Sequence, residues 1–233
     1  MLKFRSMALY FEFYGLPGAG KTTLINPLIQ NLVSKGYKVA GRPEIYDRLY
    51  YRQTKLLILA EMLLHISNLK LYYRIWKLHN KSDNPNKKYY KRLVFLIHQI
   101  LMMAKSNKYD IIICDEGIIQ YISSLFFQDE FKGYDIMQKI SGNLQNNINI
   151  CPVFCSITIE ESLRRMNERP YGQDRRYSYS LDLPLLEKVM KCRFHNLDVI
   201  SSFFPTPIVV DMRKNVDENV NFLISKIVKG KKC

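Results

Sequence analysis

The sequence predicts an α/β protein in which helices cover both faces of a parallel sheet. Five short apolar runs recur along the chain, helical stretches separate them, and each run is nearly continuous in its hydrophobicity. The runs are "ALYFEFYG" (8–15), "YKVAG" (37–41), "YDIIICDE" (109–116), "PVFCSIT" (152–158) and "PIVVDM" (207–212). A strand apolar on both sides is buried on both sides, which fits a covered parallel sheet better than an antiparallel sheet with one wet face. With 233 residues, 47% of them hydrophobic and 24% charged, the chain has material for one substantial core. A single domain spanning 1–233 is expected.

The elements follow in order. The first strand runs into the glycine-rich "GLPGAG", and "KTTLINPLIQNLVSKG" then reads as a helix. The second strand ends in "GRPEIYDR", read as a loop that offers Glu44 and Asp47. Two long helices are expected over 48–80 and 86–107, broken at "KSDNPNKK" by a turn-forming cluster. Two helices exceed what one crossover requires. Their apolar positions, among them Leu56, Leu59, Leu63, Ile66, Leu93, Ile97 and Leu101, suit packing on the sheet or on a second subunit. After the third strand come a helix at "IIQYISSLFFQ", the fourth strand, an arginine-rich segment, a long helix, the last strand and the last helix.

Lys and Arg number 35 against 21 Asp and Glu, a formal charge of +14 that favours an anionic partner: nucleic acid, anionic lipid or a phosphorylated small molecule. Much of the excess lies in 70–108, interleaved with tyrosines and Trp76, and no nucleic-acid-binding signature accompanies it. A solvated helical face is the commoner meaning of such a run. The longest apolar segments are interrupted by Glu61, His65, His98 and Gln99 and fall short of a bilayer crossing, so no membrane partner is expected. No signal-peptide pattern opens the chain, and a cytoplasmic protein is expected. Five cysteines show no metal-ligand spacing and read as buried reduced thiols.

Chemistry enters at "GLPGAGKTT". Gly15, Gly20, Lys21 and Thr22 fit G-x-x-x-x-G-K-[ST] between a strand and a helix. Glycines at such spacing let the backbone of 15–20, through Pro17, Gly18 and Ala19, turn its N–H groups inward at the positive end of the following helix. A nucleotide triphosphate suits that cradle. Lys21 would reach the β- and γ-phosphates, Thr22 would complete the coordination of Mg²⁺, and Thr23 adjoins them. Asp115 follows four apolar residues at a strand's carboxyl end and is the expected second metal residue, its rival role being the N-cap of the next helix. Glu116 beside it serves equally as a catalytic or a plain first-turn acid. Glu44 is positioned to accept a proton from an attacking hydroxyl. Arg164, Arg165, Arg169, Arg175 and Arg176 crowd into "SLRRMNERPYGQDRRY", a segment suited to close over phosphate, although one or two of them should be ordinary surface residues.

Taken in order, these pieces resemble the thymidylate kinase and deoxynucleoside kinase branch of the P-loop kinases. "GLPGAGKTT" resembles its phosphate loop and "RPE" its acidic loop after the second strand. "CDEG" lies where the branch carries an Asp-Arg or Glu-Arg pair, and "ESLRRMNERP" with "DRR" resembles its lid, here 164–180. The resemblance spans about 8 to 228, with 48–107 matching only as helices. It implies a P-loop NTPase fold, three layers α/β/α with a five-stranded parallel sheet in the order 2-3-1-4-5, and a homodimer formed through helices like those in 48–107. It also implies ATP as donor, Mg²⁺, and as acceptor a hydroxyl or phosphate of a small molecule, a nucleoside or nucleotide first. Lys21, Glu44, Asp115, Glu116, Arg164 and Arg169 become the expected catalytic set, with Glu44 ahead of Glu116 as base, and Arg175 and Arg176 join the nucleotide-binding residues. Glu116 stands where the branch carries an arginine, and an anion there disfavours an acceptor that already bears phosphate. The alternative from another class is a nucleotide-dependent switch that docks nucleic acid or a protein on the basic 70–108 face.

Overall fold

The computed structural model describes residues 7–50, 68–82, 87–126, 129–168 and 183–230. Its strands are β1 (Leu9–Tyr14), β2 (Val39–Ala40), β3 (Ile111–Cys114), β4 (Asn149–Ser156) and β5 (Ile208–Asp211). They form one parallel sheet in the order β2-β3-β1-β4-β5, the order the resemblance implied. All five expected strands are present. β4 begins earlier than expected, at Asn149, because Leu9 of β1 already pairs with it there. The helices among the described residues are α1 (Lys21–Ser34), α2 (Arg42–Tyr50), α3 (Leu69–Asn80), α4 (Lys87–Lys105), α5 (Ile118–Leu125), α6 (Tyr134–Gln145), α7 (Ile159–Asn167), α8 (Leu183–Ser201) and α9 (Val216–Gly230).

Two layers of side chains follow from the two-residue period of a strand. Tyr10 and Tyr14 of β1 join Ile112, Cys114 and Ile150 under α2 to α6 and the end of α8. Phe11 and Phe13 face the other way, with Ile111, Ile113, Val153 and Cys155, against α1, α7, α9 and the start of α8. Burial on both faces is why the strands lack a polar alternation. Glu12 lies on the first of these faces with no exposed surface, an ionisable group in a position that apolar patterning reserves for core.

The sequence reading needs one correction here. "GRPEIYDR" is the start of α2 and not a loop: Pro43 sits in the first turn, where a missing N–H costs nothing, and Glu44 Oε2 accepts the Gly41 N–H at 2.8 Å to close that turn. The expected helix over 48–80 is met at its ends by α2 and α3, and 51–67 lies outside the described residues. Of the cysteines expected to be buried, Cys114 and Cys155 are, and burial pushes both thiols up to about 12, whereas Cys151 and Cys192 are half-buried and Cys233 lies outside the described residues. No helix among the described residues is long and apolar enough to cross a membrane.

Candidate active site

β1 delivers the chain to Gly15, and α1 begins six residues later at Lys21. Between them the backbone takes left-handed values at Gly18 (φ 78°) and Gly20 (φ 83°), conformations that only glycine adopts cheaply. Space enforces the same choice: a Cβ on Gly18 would lie 2.9 Å from the Ser162 carbonyl oxygen. The loop is held from outside as well. Ser162 of α7 donates its hydroxyl to the Pro17 carbonyl at 2.5 Å, and Gly15 N–H donates to Gln120 Oε1 of α5 at 3.1 Å.

Lys21 curls back over this loop, its ammonium donating to the carbonyls of Gly15 (3.0 Å) and Leu16 (3.1 Å). Burial pulls that ammonium down to about 8. Cys155, Glu116 and Asp115 oppose the fall and Arg193 reinforces it. An anion in the cradle would restore the charge. Thr22 Oγ1 donates to Asp115 Oδ2 at 3.2 Å, so the expected pair of metal residues does meet. Asp115 Oδ1 is buried and has no hydrogen-bond partner among the described residues. An orphaned carboxylate oxygen beside a threonine hydroxyl matches the oxygen donors that Mg²⁺ takes while keeping several waters, and needs no cage of three protein carboxylates. Thr23 is exposed on the outer side of α1.

Asp115 is not the N-cap of the helix that follows; Gly117 is. Glu12, missed in the sequence, takes the helix's first amides instead. Its Oε2 accepts Ile118 N–H at 2.8 Å and the Tyr10 hydroxyl at 3.2 Å, and its Oε1 accepts Gln120 N–H at 3.0 Å. Burial lifts this carboxyl to about 7 against the opposing pull of those bonds. Gly117 is obligatory because a Cβ there would lie 2.2 Å from the Tyr10 hydroxyl oxygen. The turn carrying Asp115 and Glu116 is thereby anchored to β1 on one side. Tyr46 of α2 anchors it on the other, donating to the Glu116 carbonyl at 2.5 Å.

Beside the loop lies a cavity of about 300 Å³ lined by Tyr89 and Arg92 of α4, Glu116, and Gln120, Tyr121 and Ser124 of α5. Behind its wall the buried Arg193 of α8 donates to the Ser124 hydroxyl at 3.2 Å. Of the two expected bases, Glu116 borders this space, while Glu44 is held at the start of α2. Arg164 is occupied by its own helix, pairing with Glu161 at 2.6 Å and Glu168 at 2.5 Å. Of the two described members of that cluster, Arg165 is the one packed on the 15–20 loop: it pairs with Glu161, donates to the Met212 carbonyl at 3.1 Å and lies against Gly18 and Gly20. Arg169, Arg175, Arg176 and the expected lid beyond Glu168 lie outside the described residues.

No family model matches this chain, and no curated protein does. Among solved structures it is similar to deoxyadenosine kinase from M. mycoides. One structure of that enzyme, with products dCMP and a flexible dCDP bound, shares 14% identity and a TM-score of 0.47 over 95% of this chain and 100% of that one. Another, with dATP bound, shares 15% identity and a TM-score of 0.47 over 94% and 98%.

Arg42, Glu12, Gln120 and Arg193 are the site residues the sequence did not mark, and Arg165 was marked only as one of the arginine cluster. Arg42 opens α2 and pairs with Asp115 Oδ2 at 3.2 Å. A signal existed for Arg42, which adjoins the Pro-Glu pair already singled out. For Glu12 the signal was a lone acid inside an apolar strand, but the amides it accepts lie over a hundred residues away.

Proposed function

We propose that this protein is an ATP-dependent, magnesium-requiring phosphotransferase of nucleoside kinase type, moving the γ-phosphoryl group to a hydroxyl of a small molecule, a nucleoside first. The observation that carries this reading is Gln120. Its side-chain carbonyl holds the Gly15 amide of the phosphate cradle, and the same residue lines the adjoining cavity, so donor and acceptor spaces share a wall. A volume of about 300 Å³, with aromatic sides and a few polar groups, suits a molecule of nucleoside size.

The residues then take defined parts. Lys21 leaves the Gly15 and Leu16 carbonyls for the phosphates, whose oxygens the amides of 15–20 also meet. Thr22 and Asp115 are the groups that would hold Mg²⁺, which neutralises charge on the β- and γ-phosphates when bound. Glu116 takes the proton of the acceptor hydroxyl as its oxygen bonds to the γ-phosphorus and the bond to the β-phosphate oxygen breaks, releasing ADP. A carboxylate facing the acceptor favours one without phosphate. Glu44 remains the alternative base. Arg169, Arg175 and Arg176 are assigned the lid charges, with Arg164, on sequence grounds.

Leu69, Tyr73 and Trp76 form an exposed stripe on α3, at spacings that place them on one helical face, and this supports a homodimer through that helix. The reaction is placed in the cytoplasm, where ATP and reduced thiols prevail. A second reading has one observation in its favour. Tyr73 and Trp76 stack at 5.7 Å with Lys77 over the Tyr73 ring, a platform of the kind that binds single-stranded nucleic acid. The deciding experiment supplies labelled ATP and magnesium with nucleosides, nucleotides, sugars and other alcohols. One labelled product, lost in Glu116→Gln and kept in Glu44→Gln, supports the kinase and its base. Slow hydrolysis indifferent to every acceptor but stimulated by oligonucleotide supports the switch.

A further inference from the structure

Arg42 Nη1 stands 3.2 Å from Asp115 Oδ2, the oxygen that also accepts the Thr22 hydroxyl. One carboxylate oxygen therefore separates a guanidinium from the threonine that opens the phosphate cradle. The two partners differ in exposure. The Asp115 side chain is 7% exposed, whereas that of Arg42 is 58% exposed and lies over the Tyr46 ring at 5.7 Å. α2 does not depend on Arg42 for its place, because the Glu44 bond to Gly41, the Tyr46 bond to the Glu116 carbonyl and the fully buried Ile45 hold it.

A divalent cation and a guanidinium repel when they share one carboxylate, and of the two partners the guanidinium is the one that solvent reaches. Its forked donors match the oxygens of a phosphoryl group, which is the anion that arrives with the metal. Building on the phosphotransferase reading, we propose that Arg42 is a further catalytic residue: it rests on Asp115 in the nucleotide-free protein, yields that carboxylate to the metal and turns onto the phosphoryl group in transfer. A guanidinium at the reacting atoms then comes from the start of α2, alongside Lys21 and the lid charges.

The test compares Arg42→Ala and Arg42→Lys with the unaltered protein in two measurements. Mn²⁺ titrated into the ADP-bound protein, followed by its paramagnetic resonance, reads the competition alone, because ADP lacks the phosphoryl group in question. Arg42→Ala should bind Mn²⁺ about threefold more tightly, the scale of one exposed ion pair, with Arg42→Lys between. Turnover should fall roughly 100-fold in Arg42→Ala, as when one donor to a developing charge is lost, with acceptor KM unchanged and partial recovery in Arg42→Lys. Superimposable Mn²⁺ titrations, or full turnover in Arg42→Ala, would overturn the assignment. Failure of the parent reading looks different: the unaltered protein would itself bind no Mn²⁺–ADP and phosphorylate no acceptor, and the role of Arg42 would fall with it.

Discussion

Replacing Glu12 by Gln removes a single titratable oxygen from the core and should change how stability depends on pH. Glu12 has no exposed surface, and its carboxyl is raised from 4.5 to about 7 by burial. A raised acid is protonated more readily in the folded state than in the unfolded chain. Its contribution to stability is therefore complete below about pH 4.5 and is lost as pH climbs to about 7. The span between those values corresponds to about 3 kcal/mol. Glutamine carries no charge to desolvate, so its curve lacks this fall. It keeps one carbonyl acceptor for the α5 amides, and its NH₂ faces a donor, a penalty of about 1–3 kcal/mol that is present at every pH. Urea unfolding of both proteins between pH 4.5 and 8 isolates the term, since every other titration cancels in the difference. The variant should gain on the parent by about 3 kcal/mol across that window. Parallel curves would refute the buried ionisation and with it the account of how the Asp115–Gly117 turn is held.

Three further outcomes follow from the same geometry. Lys21, lowered to about 8, should take up a proton when Mg–ATP binds at pH 9 and not at pH 6.5, read by calorimetry as a binding heat that varies with the ionisation enthalpy of the buffer only at the higher pH. Asp115→Asn should leave ATP binding without metal nearly intact while reducing magnesium-dependent turnover roughly 100-fold, and a variant whose metal dependence matches the parent would remove Asp115 from the metal site. Gly117→Ala forces a Cβ to within 2.2 Å of the Tyr10 oxygen. Hydrogen exchange should therefore show faster opening of α5 in that variant, while β4 and β5 keep their protection.

What could be read in the sequence was what is local. The phosphate loop shows itself because its glycines, lysine and threonine are consecutive, and Asp115 because it ends an apolar strand. The five strands were legible because burial on both faces leaves a continuous apolar run. Glu44 was placed on a loop at the end of the second strand, although proline in a first turn is compatible with a helix. Choosing Arg165 over Arg164 as the loop's neighbour required the rotational phase of α7, a difference of one residue that composition does not carry. The cavity joins α4 to the β3–α5 turn, and Glu12 reaches amides more than a hundred residues on, so neither the cavity nor the role of that acid has a local signature.

On the phosphotransferase reading, the shared wall at Gln120 bears on any attempt to change the acceptor. Most of the cavity's lining, Tyr89 and Tyr121 above all, can be varied without touching the triphosphate cradle, whereas a substitution at Gln120 releases the Gly15 amide at the same stroke. Libraries seeking new acceptors should hold that glutamine fixed. Acceptor choice and phosphate binding, separable elsewhere on this surface, would there be written into one side chain.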